Sequence, residues 1–183
     1  MHPAFLYVPD ARLSLSELTA ARIDGHLVEV GDVYIPADLI EGCDVRAAGI
    51  AALVRTGTAA SGPTAAWIHG ARDSAPSPHH LRRAVARRIR PPQSPRIVYH
   101  DTPLPDEDVE SIGGVLVSTA ARTLFDLAVG LHRDPTLLPW IRGLADVAPA
   151  LVPVVIRRVR DSRRLPGSRA ALSVLERTSV RTT

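Results

Sequence analysis

Four histidines and one arginine–aspartate pair are the residues of this chain whose types and spacing could do chemistry. His69 follows Trp67 and Ile68 in an apolar stretch, where an imidazole normally packs and makes one hydrogen bond. His79 and His80 are adjacent, so on a regular element they point in different directions, which weakens chelation by both. They read as two loop histidines at the edge of a basic segment, and no metal site is expected. His100 precedes Asp101, an order that could orient an imidazole for acid–base work. No nucleophile goes with it, because Ser61, Thr64 and Thr119 have simpler work as turn or cap residues. Arg122 and Asp126 lie four apart and share a helix face. Basic before acidic is the weaker order for an exposed pair, which leaves either residue free to bind another segment. A polar clamp between helix and sheet is the plainer reading, and a phosphate anchor at Arg122 the sharper one.

Several chemistries are excluded outright. All 22 basic residues are arginine, so mechanisms that need a lysine, such as a P-loop or a Schiff base, are absent. There is no GxGxxG fingerprint and no HExxH zinc helix. Cys43 is the only cysteine, which rules out an internal disulfide framework and a cysteine-based zinc site. No cofactor is expected.

The arginines themselves are the next candidates, since a guanidinium is a five-donor fork suited to phosphate. The net charge of +3 hides an alternation. Residues 1–45 carry −6, residues 46–100 carry +8, residues 101–150 carry −5 and residues 151–183 carry +6. Either the blocks pair with one another in the fold, or they make an arginine-rich face for an anionic partner. On the second reading the contacts would be Arg82, Arg83, Arg87, Arg88, Arg157 and Arg158, with Arg22 the one base of the helix before the hairpin. Aromatic residues make up only 4%, too few for a single-strand stacking platform, so duplex DNA is the expected nucleic-acid partner.

The elements that must position these residues follow from pattern. Ser14 or Ser16 can cap a helix over 13–24, which Gly25 stops. Short extended runs at 26–30 and 33–36 flank Gly31-Asp32 and read as a hairpin. A helix over 45–55, a turn over 56–62 and a short helix over 63–70 come next. Residues 79–90 fit helix and strand about equally. A strand over 96–100, a turn-rich acidic stretch over 102–110 and a buried strand over 115–117 lead to a helix over 120–128 capped by Ser118 or Thr119. Helices over 135–146, 150–159 and 168–175 complete the chain, with 176–183 expected to fray. The fold class is α/β (α+β): a degenerate winged-helix remnant over 1–45, then a small mixed α/β domain over 46–183 ending in helices. No apolar run is long enough to span a membrane and no signal peptide is visible, so the expected location is the cytoplasm.

Three stretches together resemble the actinobacterial branch of the AbiEi-like antitoxin family of type IV toxin–antitoxin systems. Residues 17–34 look like its helix and winged hairpin. Residues 64–70, TAAWIHG, look like its central segment. Residues 113–128, GGVLVSTAARTLFDLA, look like its glycine-led strand and RTxxDLA helix. The resemblance implies structural roles for Thr64, Trp67, His69, Gly70, Thr119, Arg122, Thr123 and Asp126. It also implies a non-enzymatic, DNA-binding transcriptional regulator whose second partner is a cognate toxin. The N-terminus departs from that pattern, with an acidic hairpin turn and little room for a leading helix. The alternatives are a protein-interaction module that no longer reads DNA, and an enzyme using His69, His100, Arg122 and Asp126.

Overall fold

The computed structural model describes residues 5–10, 12–90, 93–162 and 165–181. Helix α1 (Leu15–Ile23) starts at Ser14, whose hydroxyl accepts from the Glu17 N–H while the Glu17 carboxylate accepts from the Ser14 N–H. This capping box satisfies two amides that the first turn leaves unpaired. Strands β1 (Leu27–Val30) and β2 (Val33–Pro36) form the hairpin in the register set by Gly31-Asp32, with Val30 opposite Val33. α1 is the one α-helix before this hairpin among the described residues. Helix α2 (Cys43–Ala48) is shorter than expected and stops at Gly49. There the Asp32 N–H donates to Gly49 O at 2.7 Å. Gly31 has φ +63°, and a Cβ on either glycine would collide with the backbone facing it. Close docking of the hairpin turn on the end of α2 therefore ends the helix despite its alanine-rich continuation.

Strand β3 (Thr58–Ala60) lies in the stretch expected to be a turn, and helix α3 (Gly62–Ile68) follows it directly. The ambiguous stretch begins as strand β4 (His79–Arg83) and does not continue as a helix. His79 and His80 are thus strand residues rather than loop residues. Strand β5 (Ile97–His100) is as expected, whereas β6 (Val109–Ile112) begins inside the stretch expected to be turns. Strand β7 (Val115–Ser118) leads to helix α4 (Ala120–Gly130), capped by the Thr119 side chain, which accepts from the Arg122 N–H. Helices α5 (Leu138–Val147), α6 (Leu151–Asp161) and α7 (Ser168–Arg181) complete the chain. α7 runs past residue 175 through most of the tail expected to fray. The buried Thr178 hydroxyl donates to Val174 O there, and Glu176 pairs with Arg160.

The result is a mixed α/β fold with N-terminal helix and strand elements and C-terminal helices. The main sheet has strand order β5-β4-β3-β7-β6. β3 is central, antiparallel to β4 and parallel to β7. Two apolar clusters flank α3. One joins the hairpin (Val30, Val33, Ile35), α2 (Val45, Ile50 beyond it) and the sheet (Leu81, Val117). The other is made by α4–α7, with Leu124, Ile141, Val155 and Leu175 at its heart. Ala65, Trp67 and Ile68 of α3 face the first and Ala66 the second. A helix buried on all sides has no polar face, and α3 is buried from Pro63 to Ile68. No helix among the described residues is long and apolar enough to cross a membrane.

Candidate functional site

The two motif segments are bolted together by their polar residues. The Thr64 hydroxyl accepts from the His80 N–H at 2.7 Å, tying α3 to β4. His69 Nε2 donates to Ser118 O at 2.8 Å, tying the end of α3 to the end of β7. Gly70, with φ +92°, turns the chain away after it. Thr123 donates to Ser118 O at 3.2 Å and meets the Ser118 hydroxyl at 2.7 Å. Trp67 Nε1 donates to Asp73 O at 3.3 Å.

Below this lies a chain of charges from four elements. Arg122 Nε donates to Asp126 Oδ2 at 2.9 Å, and its NH1 donates to Asp108 Oδ2 at 2.6 Å. Arg158 of α6 grips Asp108 with both nitrogens, at 2.8 and 2.7 Å. Arg82 of β4 donates to Asp126 Oδ2 at 2.6 Å. The guanidiniums of Arg158 and Arg122 also lie 5.1 and 5.9 Å from the Phe125 ring centroid. Asp108 is 3% exposed. Its two bonds from Arg158 lower the carboxyl pKa, burial opposes them, and Arg122 lowers it further; the net shift is below the usual 3.8. Bidentate, charge-assisted bonds of this kind are the strong class, and they fix β4, the turn that ends at Asp108 just before β6, α4 and α6 relative to one another.

This geometry bears on the alternating charge blocks. Arg82 and Arg158 come from basic blocks, Asp108 and Asp126 from the acidic block between them. Arg96 pairs with Asp32 at 2.6 Å and Arg83 with Asp101 at 3.1 Å, again across blocks. Arg83 is buried and also donates to backbone carbonyls of Asp101 and Ala86. Among the arginines nominated for phosphate, Arg82, Arg83 and Arg158 thus have internal partners. Arg22 pairs with Glu29 at 3.5 Å. Arg87 and Arg157 are exposed, and Arg88 is 87% exposed with Asp101 3.7 Å away. Arg163 and Arg164, basic neighbours of Arg157, lie outside the described residues.

A cavity of about 350 Å³ opens beside Arg82 and Asp126. His80, His100, Ser61, Pro63, Leu127 and Leu137 are among its lining residues. His80 Nδ1 and His100 Nε2 are 3.2 Å apart, while the ring centroids are 5.4 Å apart. The difference is about two ring radii, so the nitrogens point at each other. The rings, inclined by 27°, meet edge to edge and share one hydrogen bond, with one imidazole donating and the other accepting. Of the four residues of the enzyme alternative, His100 and Asp126 line this cavity, while His69 and Arg122 do not. Among the described residues no group of three or more His, Cys, Asp or Glu side chains is placed to hold a metal ion. Sequence reasoning set His80 aside as a loop histidine, because its partner His100 is twenty positions away and meets it only through the parallel pairing of β4 with β5. It missed Asp108 because Arg158 is fifty positions away.

Burial, then the neighbouring His100, pushes His80 down to about 4 from the usual 6.5, against a smaller opposing pull from Asp134. His100 is lowered as well, by burial and then by Arg82. The native chain therefore keeps His80 neutral in an interval where the unfolded chain takes up a proton. Stability falls as pH is lowered from 6.5 to about 4. Urea midpoints across this interval check it: His80→Asn should show a shallower fall than the parent chain, and an equal slope would reject the assignment.

No curated protein matches this chain. Residues 58–177, which hold the whole five-stranded sheet and all but the end of the helical cluster, match the AbiEi antitoxin C-terminal domain. On that match the chain belongs to the AbiEi antitoxin C-terminal domain family.

Proposed function

We propose that this protein is a non-enzymatic, cytoplasmic regulator of the antitoxin type, which acts by binding a partner toxin protein. The observation that carries the reading is the family match over the sheet and helices. The polar residues of the two motifs support binding over catalysis, since they are spent on holding α3 to β4 and β7 and α4 to the turn before β6. In this reading α1 and its hairpin are the remnant of a winged helix. Co-expression with the product of the adjacent gene tests it. Relief of growth arrest together with co-purification is the expected result, and arrest unrelieved by a well-expressed, folded chain would overturn it.

A DNA contact is the second reading, favoured by the exposed run Arg87, Arg88 and Arg90. Such a contact would neutralise only a few phosphates, so it would be weak, salt-dependent and indifferent to sequence. Anisotropy titration against the upstream duplex at two salt concentrations should show this, and Arg87→Glu with Arg88→Glu should abolish it. Tight, sequence-selective binding that survives the double substitution would place the interface elsewhere.

A further inference from the structure

The cavity between β4, β5 and α4 has features that the antitoxin reading does not use. Its walls divide by chemistry. Pro63, Leu127, Val129 and Leu137 are apolar, whereas His80, His100, Arg82 and Arg133 are hydrogen-bonding or cationic. Its volume of about 350 Å³ lies in the range of small-molecule sites. The charges beside it do not cancel. Arg82, Arg122 and Arg158 are held by only two carboxylates, Asp108 and Asp126, which leaves the network one positive charge in excess. At the rim Arg133 and Asp134 offset each other. Two buried polar atoms without a hydrogen-bond partner, Ser61 Oγ and Arg82 Nε, belong to residues lining the same cavity. Native proteins leave few such atoms unpaired, and those few need an explanation.

We propose that this cavity binds a small organic carboxylate, with its apolar body against Pro63, Leu127 and Leu137 and its head group at His80, His100 and Arg82. The excess positive charge selects an anion, and the imidazole that donates in the shared hydrogen bond has a bare outer nitrogen that can take one more proton. An anion bound there favours that proton, so binding takes up a proton and strengthens as pH falls. The groups facing the pair set the size of the effect. His79 and Arg82 of β4 and Arg133 beyond α4 oppose protonation, and Asp126 of α4 and Asp134 favour it. The site is independent of the antitoxin reading and would stand if that reading failed.

Benzoate is the probe, with benzamide as its neutral isostere and acetate as the head group alone. Calorimetry on the full chain should give a benzoate Kd of about 1 mM, with benzamide and acetate at least about tenfold weaker. Binding should be at least about threefold tighter near pH 6 than near pH 8. Imidazole NMR signals of His80 and His100 should move on addition of benzoate, while that of His26, exposed beside the hairpin, should not. His100→Gln removes one of the head-group contacts, so it should weaken benzoate binding, more near pH 6 than near pH 8, and flatten the pH dependence. Benzamide binding as tightly as benzoate, no heat at the solubility limit, or signal changes confined to other histidines would each overturn the proposal.

Discussion

Replacing Asp108 with alanine should cost about 2–4 kcal/mol of folding stability, because it strips the shared carboxylate from Arg122, which the fold has largely taken out of water, and from the partly exposed Arg158. Arg122 and Arg158 both close on this one side chain, whose carboxyl is only 5% exposed. The loss should appear as a lower urea midpoint with an unchanged slope. Asp108→Asn separates charge from shape, since it keeps the size and one acceptor but removes the charge. It should destabilise at neutral pH and also remove part of the acid sensitivity. The sign follows from the depressed carboxyl pKa: the stabilisation is complete above the usual 3.8 and is lost as pH falls through the lower native value. Below that range the Asn variant and the parent should converge. Replacing Asp108, Arg122 and Arg158 together by apolar residues of similar volume should cost less than Asp108→Ala alone, because no buried charge is left unpaired. If Asp108→Ala were neutral, the network would be decoration on a fold held by other means.

Trp67→Ala should cost a similar amount, about 3–5 kcal/mol, through the cavity it opens. Trp67 is 1% exposed and sits in the cluster shared by the hairpin, α2 and the sheet. It also anchors Arg46, itself only 7% exposed. The Arg46 guanidinium lies 5.6 Å from the indole centroid, its NH1 donates to Trp67 O at 2.7 Å, and its Nε donates to Glu41 at 2.6 Å. Trp67→Phe keeps a ring beneath Arg46 but loses the bond to Asp73 O, and should cost about 1–2 kcal/mol. Equilibrium urea unfolding of the pair measures both. Equal losses for Phe and Ala would assign the stability to the indole N–H rather than to packing.

What could be read from the sequence follows a physical line. The hairpin was legible because Gly31-Asp32 fixes the turn between two short extended runs, which pair from Val30 opposite Val33 outwards. α4 was legible because Thr119 caps it and Leu124, Leu127 and Ala128 recur at helical spacing. β3 was not, because Thr58-Ala59-Ala60 has little strand preference of its own and becomes a strand through its neighbours on both sides. The end of α2 was hidden for a similar reason: Gly49 halts it by touching Val30, a partner on another element. The same division holds at the site. Arg122 with Asp126 is a local pair and was visible at its four-residue spacing. Asp108 with Arg158 is fifty positions long and left no local trace. The charge blocks foretold that pairing was possible without saying which residues would meet.

The order of strands also has a consequence for how the chain is made. β3, the centre of the sheet, meets β4 on one side soon after both have been synthesised. Its other side waits for β7, where Ala60 lies opposite Val117. Until residues up to Ser118 have left the ribosome, β3 keeps an open edge of unpaired amides and carbonyls, the kind of edge on which another chain can add a strand. Its brevity limits that hazard, since three residues offer few bonds to a stranger. Completion of the sheet is therefore a late, long-range event, set by the arrival of the glycine-led strand rather than by the local pairing of β3 with β4.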